Sequence, residues 1–389
     1  MQLVSKLPDI GTTIFTVMSK LALEHNSINL GQGFPDFNPD QRLLDLVTEA
    51  MNAGHNQYPY MPGVELLRQV IADKVNALYG KKYDKDTEIT VTSGATEAIM
   101  SAVTAVVHAG DEVIVIEPSY DCYLPAIKLS GGLAVRVSMT PPSSDQETFS
   151  IDWNKVESAV TPKTRLIILN FPHNPTGAVL QKEDLDSLER IVANTNILLL
   201  SDEVYEHIVF APQGHLSIAS RPLLADRAFV ISSFGKTTHT TGWKIGYCCA
   251  PKSLTTELRK VHQFAVFTVP SPFQHALAHF TSNPDTYRKL PDFYRIKRNR
   301  LHDGLKETRF KPYLCPGTFF LLANYREISD MDEAQFSMWL TKEHGVTVIP
   351  ISAFYANSAS AQANHHIVRF CFAKQDATLD RAIERLKAL

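Results

Sequence analysis

Cysteine is scarce in this sequence, with five residues among 389. They are Cys122, Cys248, Cys249, Cys315 and Cys371. The number is odd and no Cys-x-x-Cys pair occurs, so a zinc or redox motif is not indicated. Free thiols in a reducing compartment are expected instead, which predicts a cytoplasmic location. The segment from Met1 to Lys6 also lacks the charged and apolar runs that are typical of a signal peptide.

Long apolar runs and an excess of one charge are missing too. No stretch approaches 18 consecutive apolar residues, so no membrane span is expected. The net charge is only -3, which does not indicate nucleic acid or a membrane surface as a partner. With 44% hydrophobic and 20% charged residues, the composition is that of an ordinary globular protein. The length predicts one large domain and one smaller domain.

Short Val- and Ile-rich runs alternate with helical patterns over the first two thirds of the chain. Continuous apolar strands are typical of a parallel sheet with helices on both faces, so we expect an α/β class with a mostly parallel central sheet. The predicted strands of this part are 88–92, 112–116, 165–170, 197–201, 229–232 and 244–249. The tail predicts a smaller α+β domain. The expected division is 1–35 (an arm and part of the small domain), 36–275 (large domain) and 276–389 (small domain).

Several predicted strands end in polar residues that we expect to meet in one cleft, because open α/β sheets bind ligands beyond the carboxyl ends of their strands. Ser93-Gly94-Ala95-Thr96 follows a strand and opens a helix, whose free N–H groups suit a phosphate. Asn174 lies in a loop braced by prolines and could donate to an anionic oxygen. Taken singly, an ordinary helix cap and a structural turn explain these segments better.

Asp202 and Lys236 are the most informative residues at the strand ends. A buried carboxylate needs a partner, which a protonated pyridine nitrogen would supply, and Tyr205 could hydrogen-bond a ring hydroxylate. A desolvated lysine in a cleft favours the neutral amine that attacks an aldehyde, although most lysines are solvated. Lys244 could serve as a phosphate cation beside Ser233. A nucleotide P-loop at Lys236 is rejected, because Val230 stands where that motif needs glycine.

Together these segments supply what pyridoxal phosphate (PLP) requires: a phosphate site, a partner for the ring nitrogen, an oxygen donor and a lysine. The chain resembles the fold-type-I, class I/II aminotransferases from about residue 7 to its end, and especially the methionine and kynurenine–glutamine aminotransferase subgroup. The motifs that carry the resemblance are NLGQGFPDF (29–37), YDCY (120–123), SFGKT (233–237), GWK (242–244), VHQ (261–263) and VRFCFAK (368–374).

The resemblance implies a role for each matching residue. Lys236 would bind PLP as a Schiff base and move the proton at the substrate Cα, while Asp202 would keep the ring nitrogen protonated. Arg369 would clamp the substrate α-carboxylate with its planar fork, with backbone contact from Gly33, and Asn174 would also bind the substrate. The remaining cofactor-binding residues would be Gly94, Ala95, Thr96, Tyr120, Asn174, Tyr205, Ser233, Lys244 and, reaching the neighbouring subunit of a homodimer, Tyr58.

The implied activity is a ping-pong transfer of an amino group from an amino acid to a 2-oxo acid. Candidate walls of the substrate pocket are Phe15, Tyr60, Phe267 and Phe354, although simple core packing would also explain them. Such walls favour methionine or aromatic donors over aspartate, with leucine, histidine, glutamine and kynurenine as further candidates. Two alternatives stay open: a cysteine-conjugate C–S β-lyase on the same cofactor, and a non-catalytic PLP-binding protein.

Overall fold

The computed structural model describes residues 3–358 and 363–389. Met1 and Gln2 of the predicted arm and residues 359–362 of the predicted C-terminal domain lie outside this range. Within it, no helix combines the length and the apolar character needed to cross a membrane. The α-helices are Ile14–Glu24, Gln41–Asn52, Glu65–Tyr79, Gly94–Val106, Tyr123–Leu129, Trp153–Ser158, Lys182–Val192, Pro222–Ala225, Phe234–Thr237, Lys252–Ala265, Ser271–Thr281, Asp285–Arg288, Leu290–Lys306, Glu333–Glu343 and Asp376–Leu386.

A seven-stranded sheet, here called the large sheet, organises residues 89–249. From edge to edge its strands are Ile89–Thr92, Gly246–Cys249, Ala228–Ser233, Leu198–Asp202, Thr164–Asn170, Glu112–Glu117 and Leu133–Ser138. Neighbouring strands run parallel, except that Gly246–Cys249 is antiparallel to both of its neighbours. The predicted α/β class with a mostly parallel sheet is therefore confirmed.

Apolar cores lie on both faces of the large sheet. On one face, Ala98 and Ala102 of the helix Gly94–Val106 pack with Leu258 of the helix Lys252–Ala265. On the other face, Leu185 and Leu188 of the helix Lys182–Val192 belong to a second core. Both faces of the sheet are covered, and the middle parts of the central strands are accordingly apolar. The polar side chains of these strands lie toward their ends.

A smaller antiparallel sheet contains the strand that carries Arg369. Its strands, in spatial order, are Ile349–Pro350, Ile367–Cys371, Phe320–Asn324 and Lys311–Pro312. The helices Leu290–Lys306 and Asp376–Leu386 pack against each other beside it. A short parallel pair, Ile28–Asn29 with Val346–Thr347, joins the N-terminal segment to this part of the molecule. Three 3-10 turns complete the elements: Ile218–Ser220, Thr241–Trp243 and Ile351–Phe354.

The domain boundary expected near residue 275 falls inside the helix Ser271–Thr281. That helix packs on the helices Gln41–Asn52 and Glu65–Tyr79, and Ala276, Leu277 and Ala278 belong to a core of the large sheet. A boundary at residue 275 would divide one buried helix face between two domains. We therefore propose that the large domain extends to Thr281 and that the small domain begins after it.

Candidate active site

A cavity opens at the carboxyl ends of the parallel strands in the large sheet. Its volume is about 160 Å³, and a dry cavity of about 150 Å³ is large enough to hold a benzene ring. Every residue predicted to bind the cofactor, except Tyr58, lines it: Gly94, Ala95, Thr96, Tyr120, Asn174, Asp202, Tyr205, Ser233, Lys236 and Lys244. Four lining residues had no predicted role: Asn170, Val204, Gly235 and Thr241. The cavity can therefore hold a single flat ring surrounded by polar groups.

Lys236 lies in the short helix Phe234–Thr237, directly after the strand Ala228–Ser233. Its Nζ donates to the carbonyl oxygen of Gly33 at 3.2 Å. Burial, helped by the nearby cations Lys244 and Arg369, lowers the pKa of Lys236 from about 10.5 to about 8. The neutral amine, which is the nucleophilic form of lysine, is therefore accessible near neutral pH.

Asp202 ends the central strand Leu198–Asp202 and is only 3% exposed. Burial raises the pKa of Asp202 to about 6, while a hydrogen bond from the Tyr123 hydroxyl at 2.7 Å acts in the opposite direction. The carboxylate is therefore ionised at neutral pH and can hold a cationic partner. Tyr123 was not predicted as a site residue, although its place in the YDCY motif, three residues after Tyr120, was the available signal.

A further group of residues that line the cavity has the features of an anion site. Gly94 begins the helix Gly94–Val106 with φ +70°, and the side chain of the N-cap residue Ser93 makes no capping hydrogen bond. Its first N–H groups therefore remain available to a ligand. A Cβ at position 94 would lie 3.2 Å from Nζ of Lys244, so glycine keeps the space between helix and lysine open. Ser233 and Thr241 line the same cavity.

Arg369 is buried and already holds two neighbouring groups. Its Nη1 donates to Oδ1 of Asn174 at 2.6 Å, and its Nη2 donates to the Gly31 carbonyl at 2.9 Å. Its Nε has no hydrogen-bond partner among the residues that the structure describes. Asn170, a polar residue at the end of the predicted strand 165–170, accepts the backbone N–H of Asn174 through its Oδ1 at 3.0 Å. An unpaired buried donor costs free energy, so Nε is suited to receive a ligand oxygen.

Three phenylalanines surround the guanidinium of Arg369. The ring centroids lie 3.8 Å (Phe320), 5.0 Å (Phe354) and 5.4 Å (Phe15) from its Cζ. Two of them, Phe15 and Phe354, were predicted as pocket walls, whereas Phe320 was not. Burial lowers the pKa of Arg369 to about 10, which leaves it fully charged at neutral pH. The arginine is thus a fixed cation between aromatic faces.

Three of the other predicted residues lie apart from this cluster. Tyr58 (82% exposed), Tyr60 (67%) and Phe267 (46%) lie on the surface of the single chain, and the rings of Tyr58 and Phe267 are 5.4 Å apart. Gly33 does reach the site, but its carbonyl accepts from Lys236. A Cβ on Gly33 would lie 2.7 Å from Cζ of Phe320, so only glycine fits there.

Residues 25–386 match the family described as aminotransferase class I and II. The chain belongs to this family. It is 49% identical to the methionine aminotransferase of Escherichia coli over 386 residues, which cover 99% of this chain and 98% of that protein. A solved methionine aminotransferase from the same organism superposes with a TM-score of 0.96 at 48% identity, covering 100% of both chains.

Two further relatives are aminotransferases named for other substrates. It is 42% identical to a probable N-succinyldiaminopimelate aminotransferase of Mycobacterium tuberculosis, covering 99% of this chain and 98% of that protein. It is 35% identical to a kynurenine–oxoglutarate transaminase of Dictyostelium discoideum, covering 97% and 94%. The predicted family, fold type and aminotransferase activity are therefore confirmed, as is the similarity to methionine and kynurenine aminotransferases.

Proposed function

We propose that this aminotransferase uses pyridoxal phosphate to move the amino group of methionine, or of an aromatic or other apolar amino acid, to a 2-oxo acid. The observation that carries the proposal is that Lys236 and Asp202 line one cavity of about the volume of a single aromatic ring. The helix start at Gly94 and the Lys244 ammonium, which suit a phosphate, line that cavity as well.

The residues of the cavity fit the cofactor group by group. Gly94, Ala95, Thr96, Ser233 and Lys244 would hold its phosphate, and the Tyr120 side chain would lie against its ring. The Oδ1 of Asn174 is engaged by Arg369, so its amide nitrogen is left to donate to the ring oxygen together with Tyr205. When bound, pyridoxal phosphate supplies an aldehyde that accepts the amino group and a ring that takes up electrons from the substrate Cα.

The protein groups then have distinct tasks. The Lys236 amine, with its pKa of about 8, takes the proton from the substrate Cα and returns it during transfer. The Asp202 carboxylate would keep the ring nitrogen of the bound cofactor protonated. Arg369 binds the substrate α-carboxylate through its unpaired Nε and its remaining N–H groups. Together these contacts would orient the Cα–H bond toward Lys236.

The substrate side chain is the finer part of the proposal. It is supported by Phe15 and Phe354 beside Arg369, and by the methionine specificity named for the Escherichia coli relative. A panel of amino acids with one oxo acid would test it. Methionine and phenylalanine should give the highest kcat/KM, and aspartate as the best donor would refute the apolar pocket. The residues of the site offer no observation that favours the β-lyase alternative.

A homodimer and a cytoplasmic location belong to the same proposal. The exposed side chains of Tyr58, Tyr60, Phe264 and Phe267 are apolar surface that a second copy could cover, and Tyr58 would then reach the partner's phosphate site. All five cysteines are free thiols, which supports a reducing compartment.

Lys236→Ala is the experiment that tests the cofactor assignment. The variant should lose both the visible absorbance of covalently attached cofactor and all measurable transamination, because alanine has no amine. Lys260→Ala is the matched control, since Lys260 is exposed and paired with Glu257 on the surface. Unchanged turnover in Lys236→Ala would end the proposal.

A further inference from the structure

Glu333 is a buried carboxylate that lies outside the candidate active site. It is the first residue of the helix Glu333–Glu343 and is only 1% exposed. Its two oxygens accept three backbone N–H groups, from Ser352 at 2.5 Å, His365 at 2.9 Å and Ile367 at 3.0 Å. Burial raises the pKa of Glu333, and these three donors oppose the shift. A buried charge is costly, and a packing role alone would not require one.

Two of the three donors belong to the elements that carry Phe354 and Arg369. Ser352 lies two residues before Phe354 in the turn Ile351–Phe354, and Ile367 lies two residues before Arg369 in the strand Ile367–Cys371. The Phe354 ring lies 5.0 Å from Cζ of Arg369. The Glu333 side chain therefore connects the turn that carries Phe354 to the strand that carries Arg369.

The same turn is also held by the large domain. The Phe354 carbonyl accepts the backbone N–H of Ser119 at 2.8 Å, and the backbone N–H of Ala356 donates to Oε1 of Glu117 at 2.9 Å. Ser119 immediately precedes Tyr120 of the cavity, and Glu117 lies three residues before it. The turn is thus fixed between the cofactor cavity on one side and Glu333 on the other.

We propose that Glu333 is a positioning residue for substrate binding, which holds Phe354 and Arg369 in the relative placement that receives the α-carboxylate. The inference rests on the proposed function, in which Arg369 binds that carboxylate. Glu333 does not touch the substrate or the cofactor. Its contribution is preorganisation, so its loss should weaken the binding of substrates that carry a carboxylate and leave the chemical step nearly intact.

Glu333→Gln tests this inference, because glutamine keeps the size but presents an NH₂ group to one of the backbone donors. We expect KM for methionine to rise about tenfold and kcat to stay within about twofold. Backbone hydrogen exchange in peptides that contain Ser352 and Ile367 should accelerate, with the cofactor absorbance unchanged. Glu343→Gln, at the exposed end of the same helix, is the matched control and should change none of these.

A substrate without a carboxylate separates positioning from a general loss of structure. With 3-(methylthio)propylamine, the amine that corresponds to methionine, Glu333→Gln should react at the rate of the unmodified enzyme. An equal loss with the amine and with methionine would overturn the inference, and so would an unchanged KM for methionine. If the glutamine variant does not fold, Glu333→Asp should show a smaller change in the same direction.

Different experimental results would overturn the inference about Glu333 and the proposed function. An unchanged KM in Glu333→Gln, combined with a large rise in Arg369→Lys, would overturn only the role of Glu333. An unchanged KM in Arg369→Lys would overturn the carboxylate assignment itself.

Discussion

The two halves of the site are built differently. The cofactor half, defined by Gly94, Asp202, Ser233, Lys236 and Lys244, comes from consecutive strand ends of one sheet. The carboxylate half, defined by Arg369, Asn174, Phe15, Phe320 and Phe354, is assembled from several structural units. Arg369 and Phe320 lie in strands of the small sheet and Phe15 lies in the helix Ile14–Glu24, whereas Asn174 follows the strand Thr164–Asn170 of the large sheet.

This difference separates the chemistry from the choice of substrate. The strand ends of a close-packed sheet hold their side chains rigidly, which suits groups that any amino-acid substrate would need. The carboxylate half depends on contacts between the small sheet, the arm and the large domain. Small changes in those contacts can alter substrate preference without disturbing the cofactor half.

The largest effect is expected from Asp202→Asn in the cofactor half. Asparagine has no charge with which to keep a proton on the ring nitrogen, so kcat should fall about a thousandfold. KM for methionine should change little, because the carboxylate half is untouched. Steady-state kinetics with methionine and a 2-oxo acid would measure both parameters.

The control for this variant is Asp303→Asn, whose carboxylate is exposed and should leave kcat unchanged. Two results would contradict the division into two halves: Asp202→Asn keeps most of its activity, or it loses activity through a higher KM instead of a lower kcat.

A smaller effect is expected from Arg369→Lys in the carboxylate half. Lysine keeps the positive charge but loses the planar fork that holds Asn174, Gly31 and the substrate together. We expect kcat/KM for methionine to fall about a hundredfold, mainly through KM, while cofactor absorbance stays normal. Arg298→Lys is the control, since Arg298 also lies over a phenylalanine, Phe210, at 4.7 Å. A loss of bound cofactor in Arg369→Lys would show that the halves are not independent.

The smallest effect is a shift in pH dependence within the cofactor half. Only the neutral amine of Lys236 attacks an aldehyde, so attachment of added pyridoxal to the cofactor-free protein should speed up as pH rises and level off above about 8. Lys244→Gln removes a neighbouring cation, which should move the midpoint to higher pH. Pyridoxal lacks the phosphate that Lys244 would bind, so the comparison isolates the charge effect. A midpoint near the ordinary lysine value, or no shift in Lys244→Gln, would contradict the assignment.

Much of the large sheet was predictable because its strands are continuous apolar runs. The exposed edge strand Leu133–Ser138 was not predicted, since it buries little and its apolar signal is weak. The reversed direction of Gly246–Cys249 was also beyond prediction, because an apolar run does not show which way a strand points. The boundary expected at residue 275 stays a prediction; we propose Thr281 in its place, because the contribution of the helix Ser271–Thr281 to the core is visible only in the folded structure.

The site was predictable to the extent that its residues lie in motifs. Lys236, Asp202 and Gly94 each follow a strand, so their convergence could be argued from topology. Phe320 and Glu333 act through contacts with distant segments, and nothing adjacent to them in the chain indicates those contacts. Tyr58 stays a prediction, since its proposed contact belongs to a second subunit.

The reversed strand Gly246–Cys249 has one more consequence. Ser233 pairs with Gly246, so residues 234–245 leave the sheet and return to it at the same level. This connection of twelve residues contains both Lys236 and Lys244, one near its start and one near its end. An insertion here would displace Lys236, the proposed nucleophile, from Lys244, the proposed phosphate cation, whereas a surface loop tolerates added length at little cost. We therefore expect the function to depend on the length of this connection as strictly as on the identity of its two lysines.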